Sequence, residues 1–233
     1  MLKRSEINRT IELAKEVIAK LNLRLPPFAF WSVDDWKTRG PEANEIRDCM
    51  LGWDVTDFGQ GRFDQIGRTL FTLRNGTTRK PGYAKIYAEK LILDPPNQKP
   101  PRHFHRNKME DIINRGGGNI LILLSASTPD EKPSDREFSV QVDGQTRHLK
   151  GGSIVRLEPG QSINIPPRTI HQFWGEEGTG VDVGGVKYTV SGEVSSVCDD
   201  WTDNFWLEPC ERFCKIDEDQ PRKHYLVHEY PAA

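Results

Sequence analysis

His103-Phe104-His105-Arg106-Asn107-Lys108-Met109-Glu110 is the stretch whose reading decides the architecture, once His171 is set beside it. Three imidazoles and one carboxylate, drawn from two separate segments, have the pattern of a metal site built across a β-barrel. Alternate residues of a strand share a face. His103 and His105 are therefore predicted to point the same way, as two ligands of one ion must.

Around this stretch the chain has a strand-rich texture from about Leu51 onward. Short runs of β-branched and aromatic residues are predicted as strands at 69–73, 83–93, 101–106, 109–113, 119–125, 137–142, 153–157, 162–165, 170–174, 181–190 and 193–197. Turn signals punctuate them, among them Arg74-Asn75-Gly76, Gly116-Gly117-Gly118 and Glu158-Pro159-Gly160. Asp143-Gly144 inside Val140–Thr146 marks a hairpin. Many short strands at close spacing define a sandwich, barrel or jelly roll. The region before them is helical. Ile7, Ile11, Ala14, Val17, Ile18 and Leu21 follow helical spacing, with Ser5 as N-cap. A second helix starts near Ser32 or Asp34 and ends near Gly40, and a short one spans Glu42 to Cys49. The tail from Phe205 onward reads as irregular, with a short strand near its end. Residues 1–50 are thus expected as a helical extension packed on a β-barrel formed by residues 51–233.

Composition narrows the function classes. With 36% hydrophobic and 28% charged residues and a net charge of −2, the chain reads as a globular protein with no basic surface for nucleic acid or an anionic membrane. No apolar run approaches the roughly 20 residues of a membrane span. The N-terminus has basic residues but no apolar core of a signal peptide. Without an export signal, the four cysteines are expected as free thiols in a cytoplasmic protein. Cys210-x3-Cys214 lacks the second pair of a zinc site.

The full spacing is His103-x-His105-x4-Glu110-x6-Gly117, followed by Gly160-x5-Pro166-x-Arg168-x2-His171. It resembles the two motifs of the cupin superfamily. Arg168 stands where that pattern has glycine, Gly175 where it often has asparagine, and Asn97 where a glycine opens the first motif. No ligand is lost by these departures. The resemblance implies a mainly β fold, the cupin double-stranded β-helix, with His103, His105, Glu110 and His171 as metal ligands. HFHRNKMEDIINRGGGNI, with KRSEINRTIELAKE and SVCDDWTDNFWLEP, further resembles the D-lyxose ketol-isomerases over most of the chain. That family implies interconversion of free aldoses and ketoses (D-lyxose with D-xylulose, D-mannose with D-fructose), Mn2+ as preferred ion, and a homodimer. By ligand chemistry alone, Mn2+, Fe2+, Co2+ and Zn2+ all suit three nitrogens and one carboxylate oxygen.

Isomerisation moves a proton between C1 and C2 through an enediol, so a proton-transfer group must stand beside the metal. Lys108, between two ligands, is a candidate to stabilise an oxyanion or shuttle the proton; the alternative is a solvated loop lysine. Lys90 interrupts the apolar face Ile86-Ala88-Lys90-Ile92 and is a candidate substrate contact; a lysine snorkelling at a sheet edge is its alternative. Glu193, opening the strand after Ser191-Gly192, is a candidate base. Asp182, opposite in parity to Val181 and Val183, faces the cavity if the valines face packed structure; a surface aspartate on a half-exposed strand is its alternative. Arg168 is a candidate cap on the metal mouth, with pairing to a surface acid as its alternative, and Trp53, with Phe104 and Trp174, is a candidate apolar surface for sugar C–H groups. Core packing is the alternative for each aromatic. His148, His224 and His228 read as structural.

Three rival functions use the same residues. An Fe2+ dioxygenase could use the same four ligands, a non-enzymatic cupin could bind a sugar, and a phosphosugar isomerase could draw on Arg102, Arg106 and Arg168.

Overall fold

The computed structural model of the chain describes residues 1–232. Strand alternation is plain in Ile120–Ser127, where Ile120, Ile122 and Leu124 are buried while Leu121, Leu123 and Ser125 are half-buried. Two large antiparallel sheets result, beside a small parallel pair of Leu2–Lys3 with Ile216–Asp217. The larger runs, in hydrogen-bonded order, Gln145–Lys150, Glu137–Val142, Ser162–Ile165, Glu110–Gly116, Val186–Ser196, Tyr87–Asp94, Arg68–Arg74 and Gly52–Thr56. The smaller runs Ser153–Leu157, Ile120–Ser127, Thr169–Gly175, His103–His105 and Asn204–Trp206. Ile112, Val140, Val142 and Ile163 of the larger sheet meet Ile122, Leu124, Leu157 and Phe173 of the smaller. Fully burying each such side chain contributes about 1.5–3 kcal/mol. This curled, facing pair is the expected double-stranded β-helix.

The other face of the larger sheet is covered by the helix Arg4–Lys20. Ile7, Ile11, Ala14, Val17 and Ile18 pack there on Trp53, Val55, Phe71, Leu91 and Val190. Adjacent residues in one strand thus serve two different cores: Phe71 lies under the helix and Leu70 between the sheets.

Several local expectations need correction. The helix begins at Arg4 with Lys3 as an N-cap that forms no side-chain bond. Ser5 instead donates its hydroxyl to Asp219 at 2.6 Å, tying the helix to the C-terminal tail. Arg4, fully buried, reinforces that tie through Glu218 at 2.8 Å. The second helix is only Val33–Trp36, closed by a capping box between Ser32 and Asp35. Glu42 to Cys49 divides into a 3-10 turn, Pro41–Ala43, and the helix Asn44–Asp48. Ser191-Gly192 does not break a strand. It lies within Val186–Ser196, where a Cβ on Gly192 would stand 2.7 Å from Nε of Arg115. Strands Gly52–Thr56, Gln145–Lys150 and Asn204–Trp206 lay outside the predicted runs. No helix among the described residues is long and apolar enough to cross a membrane.

Candidate active site

The strand His103–His105 turns both histidines to the interior and Phe104 to the opposite face. His171, on the neighbouring strand, is the direct cross-strand partner of His103. Ring centroids stand 4.3 Å apart for His103 and His171, 5.0 Å for His103 and His105, and 5.3 Å for His105 and His171. One nitrogen from each lies within 4.8 Å of one from each of the others. Glu110 completes the cluster from the larger sheet, with Oε1 2.9 Å from His171 Nε2 and Oε2 3.5 Å from His105 Nε2. The centre therefore bridges the two sheets.

The donor set fits a divalent cation. Glu110 Oε1 is buried and makes no hydrogen bond, although His171 Nε2 is 2.9 Å away. Such close donors without hydrogen-bond geometry are what lone pairs converging on one ion produce. Nδ1 of His103 stands 3.1 Å from the Pro101 carbonyl, and Nδ1 of His171 3.0 Å from that of Thr169. Donating those N–H groups leaves Nε2 as the ligand atom, a common arrangement of metal-binding imidazoles. Burial and the neighbouring His171 and His105 hold the His103 imidazole well below its usual range, and burial and Lys108 lower that of His105. Both are thus neutral, the form a metal requires. Burial alone would raise Glu110, but the Lys108 ammonium outweighs it and keeps the carboxyl ionised.

A line of buried charges of alternating sign leads away from Glu110. Lys108 Nζ lies 2.7 Å from Glu110 Oε2 and 2.7 Å from Glu193 Oε1. Glu193 Oε1 also accepts Ser195 Oγ at 3.0 Å and lies 3.5 Å from Lys90 Nζ. Lys90 and Glu193 are cross-strand partners. Lys90 Nζ reaches Cys198 Sγ at 2.8 Å, and Cys198 lies 3.6 Å from Asp200. Asp200 accepts Arg212 Nη2 at 3.1 Å, and Arg212 also pairs with Asp54. Asp203 holds the loop that carries Lys108. Its carboxylate accepts the backbone N–H groups of Asn107 and Lys108 at 2.8 and 2.9 Å.

The clustered histidines, Glu110, Lys108, Glu193, Lys90, Asp200 and Arg212 line one small pocket with a free volume of about 60 Å³, walled by Phe58, Leu70, Ile92, Phe173 and Trp206. The Trp206 ring stands 4.7 Å from that of His103 and 5.3 Å from that of Phe58. A more open cleft of about 350 Å³, lined by Arg47, Asn75 and Trp201 among others, shares only Asp200 with it and holds none of the clustered histidines.

The structure brings together His103, His105, Glu110, His171, Lys108, Glu193 and Lys90, and leaves out Trp53, Arg168 and Asp182. Trp53 pairs with Phe71, so its parity places it under the helix, where Nε1 donates to the Ala29 carbonyl at 2.8 Å. Arg168 shares the side of Phe104, with its guanidinium 5.3 Å from that ring and 3.8 Å from Glu131. Val181 and Val183 do face packed structure, the helix, but their hairpin stands off the barrel. The far side of Asp182 is therefore solvent. Asp200, Asn204, Trp206 and Arg212 were not singled out as site residues. Asp200, Asn204 and Trp206 lie in the family-like stretch SVCDDWTDNFWLEP, and Arg212 lies in the irregular tail beyond it.

A jelly roll with three histidines and a glutamate gathered between its sheets, and an ammonium and a second carboxylate beside them, is a cupin of the enzymatic kind. Residues 2–230 match the model of a family described as D-lyxose isomerase. The chain is 44% identical over 230 residues to a D-lyxose/D-mannose isomerase of Escherichia coli O157:H7, covering 98% of each. It is 43% identical to one of Serratia proteamaculans over the same share. The chain belongs to the D-lyxose isomerase family and is a sugar aldose–ketose isomerase. Its fold is shared with the L-ribose isomerase of Cellulomonas parahominis, solved with L-psicose, at a TM-score of 0.58 and 15% identity, covering 93% of this chain and 98% of that one. That of Acinetobacter sp. DL28, solved with L-ribose, gives 0.57 and 15%, covering 89% and 93%.

Proposed function

We propose that this protein interconverts D-lyxose with D-xylulose, and D-mannose with D-fructose, as a Mn2+-dependent homodimer in the cytoplasm. The observation that carries the reading is the Lys108 ammonium held 2.7 Å from both Glu110 and Glu193 in a buried pocket. The names of the relatives support the two sugars. Free cysteines, with no disulfide among the described residues, fit a reducing compartment.

His103, His105, Glu110 and His171 would hold the ion, which supplies a Lewis acid for the oxyanion that develops at C1 and C2. Glu193 is the base. Its contacts fall on Oε1, which leaves Oε2 to take the proton from carbon. Burial would raise its carboxyl, but Lys108 and Lys90 outweigh that and keep it ionised. A base flanked by two ammonium groups does not retain a proton, so Glu193 returns it to the neighbouring carbon. Lys108 acts by charge. Burial opposes its cationic form, yet Glu110 and Glu193 raise it well above the usual lysine range. It therefore donates to the enediol oxygens rather than abstracting a proton. Phe58, Phe173 and Trp206 exclude water and face sugar C–H groups.

The substrate is a free sugar. Arg102 is committed to Glu208, Arg106 and Arg168 lie at Glu131, and none of the three lines the pocket. The pocket's own Arg68 is neutralised by Asp94. The test incubates metal-stripped protein with D-lyxose, with and without Mn2+. D-xylulose is expected only with the ion, and none in either tube sinks the proposal.

A further inference from the structure

Four cationic side chains line the pocket, and in three of them every terminal nitrogen has a partner. Lys108 is held by Glu110 and Glu193, and Lys90 by Cys198 and Glu193. Arg68 donates to Asp94 and to the Phe173 carbonyl. Arg212 differs. Its side chain is 10% exposed, and Nη2 donates to Asp54 and to Asp200 at 3.1 Å. Nη1 is buried and has no acceptor among the described residues. A buried charged donor without an acceptor is rare and calls for a ligand, water or ion.

The surroundings specify the acceptor. Asp54 and Asp200 already balance the guanidinium charge, so an anion has no net cation left to answer. A neutral oxygen, such as a hydroxyl, satisfies Nη1 without adding charge. Arg212 reaches the pocket from the C-terminal segment and stands at the opposite end of the charge line from Glu110. A sugar whose C1 and C2 lie at the histidines extends its remaining hydroxyls away from them.

We propose that Arg212, oriented by Asp54 and Asp200, is a substrate-specificity residue whose Nη1 binds the chain-end hydroxyl of the open-chain sugar. The inference rests on the isomerase reading and adds a subsite to it. Lys90, Lys108 and Glu193 serve the reacting end, and Arg212 reads the other end.

The experiment compares D-lyxose with 5-deoxy-D-lyxose on the Mn2+-loaded wild type and on Arg212→Lys. In the wild type, loss of the chain-end hydroxyl is expected to lower kcat/KM roughly 10–100-fold, mainly through KM, as for a hydrogen bond to a charged group. Arg212→Lys keeps a cation between Asp54 and Asp200 but removes the fork, and the two sugars should then react with nearly equal kcat/KM. An unchanged ratio in Arg212→Lys, with normal wild-type turnover, overturns the Arg212 assignment alone. Absence of isomerisation in the wild type overturns the underlying reading as well. A crystal of the wild type soaked in D-arabinitol gives a second readout that needs no variant. A polyol oxygen within hydrogen-bond distance of Nη1 supports the proposal, and a water alone on that atom overturns it.

Discussion

The Asp203 carboxylate accepts the backbone N–H of Lys108 at 2.9 Å, and so aims a side chain with which it shares no charge pair. The same carboxylate holds Asn107 through both its N–H and its side-chain amide, at 2.8 and 2.9 Å. Asp203→Ala should release the loop without touching a metal ligand. Hydrogen bonds to a charged group contribute about 1.5–3 kcal/mol. If that is lost in the transition state, kcat falls roughly 10–100-fold. Steady-state kinetics beside metal analysis checks this, and a parallel loss of bound metal would refute the positioning role.

His171 and Lys108 separate metal binding from turnover. His171→Ala is expected to lose bound metal, while Lys108→Ala keeps it and turns over slowly. Plasma emission analysis of the purified variants reads the difference. Retained metal in the first would remove His171 from the ligand set.

Glu193→Gln preserves the shape of the base and removes its charge. A positioned base contributes about 10²–10⁴-fold, and kcat should fall by that much. Exchange of the C2 proton with solvent, followed by NMR, should slow in step. Exchange at the wild-type rate would move the base elsewhere.

Arg168 occupies a left-handed backbone position, φ 63°, where the cupin pattern carries glycine. Left-handed strain costs about 1–2 kcal/mol for an ordinary residue. Glycine relieves it but loses more freedom on folding and leaves Phe104 uncovered. Arg168→Gly should therefore raise Tm by no more than about 3 °C. Its kcat/KM should equal that of the wild type, because the side chain lies on the side of Phe104. A tenfold drop would return Arg168 to the site.

Asp200 links stability to acid. Burial would raise its carboxyl, but Arg212, Lys90 and Lys108 hold it well below the usual carboxylate range. A depressed folded value means that its contribution is complete above the unfolded value of about 4 and is lost as pH falls through the folded one. Asp200→Asn should be less stable near neutrality, and the gap to the wild type should narrow below about pH 4. Thermal melts from neutral to acid pH measure it. A gap constant across that range would contradict the linkage.

What the sequence disclosed followed strand parity and spacing. His103 and His105 share a face because one residue separates them, and Lys90 betrayed itself as a charge on an apolar face. Parity failed where the element was not foreseen. Trp53 could not be placed until Gly52–Thr56 was known as a strand beneath the helix. Asp182 was oriented correctly with respect to its valines, yet its hairpin lies outside the barrel, a fact of tertiary position. Asp200 and Arg212 carry no periodic signal, since the pairing of Arg212 with Asp54, distant in the chain, and with Asp200 places them.

The alternating line from Glu110 to Asp54 also governs how this pocket can change. Each charge in it stabilises two neighbours, so altering one member strands the next in a water-poor interior. Single-step variation at Lys90, Lys108, Glu193 or Asp200 is thereby closed off, and only concerted exchanges remain open there. A lineage or a directed library seeking a new sugar would advance one mutation at a time through the uncharged wall instead, at Phe58, Asn204 and Trp206. Substrate range can drift along that wall while the electrostatic spine stays fixed.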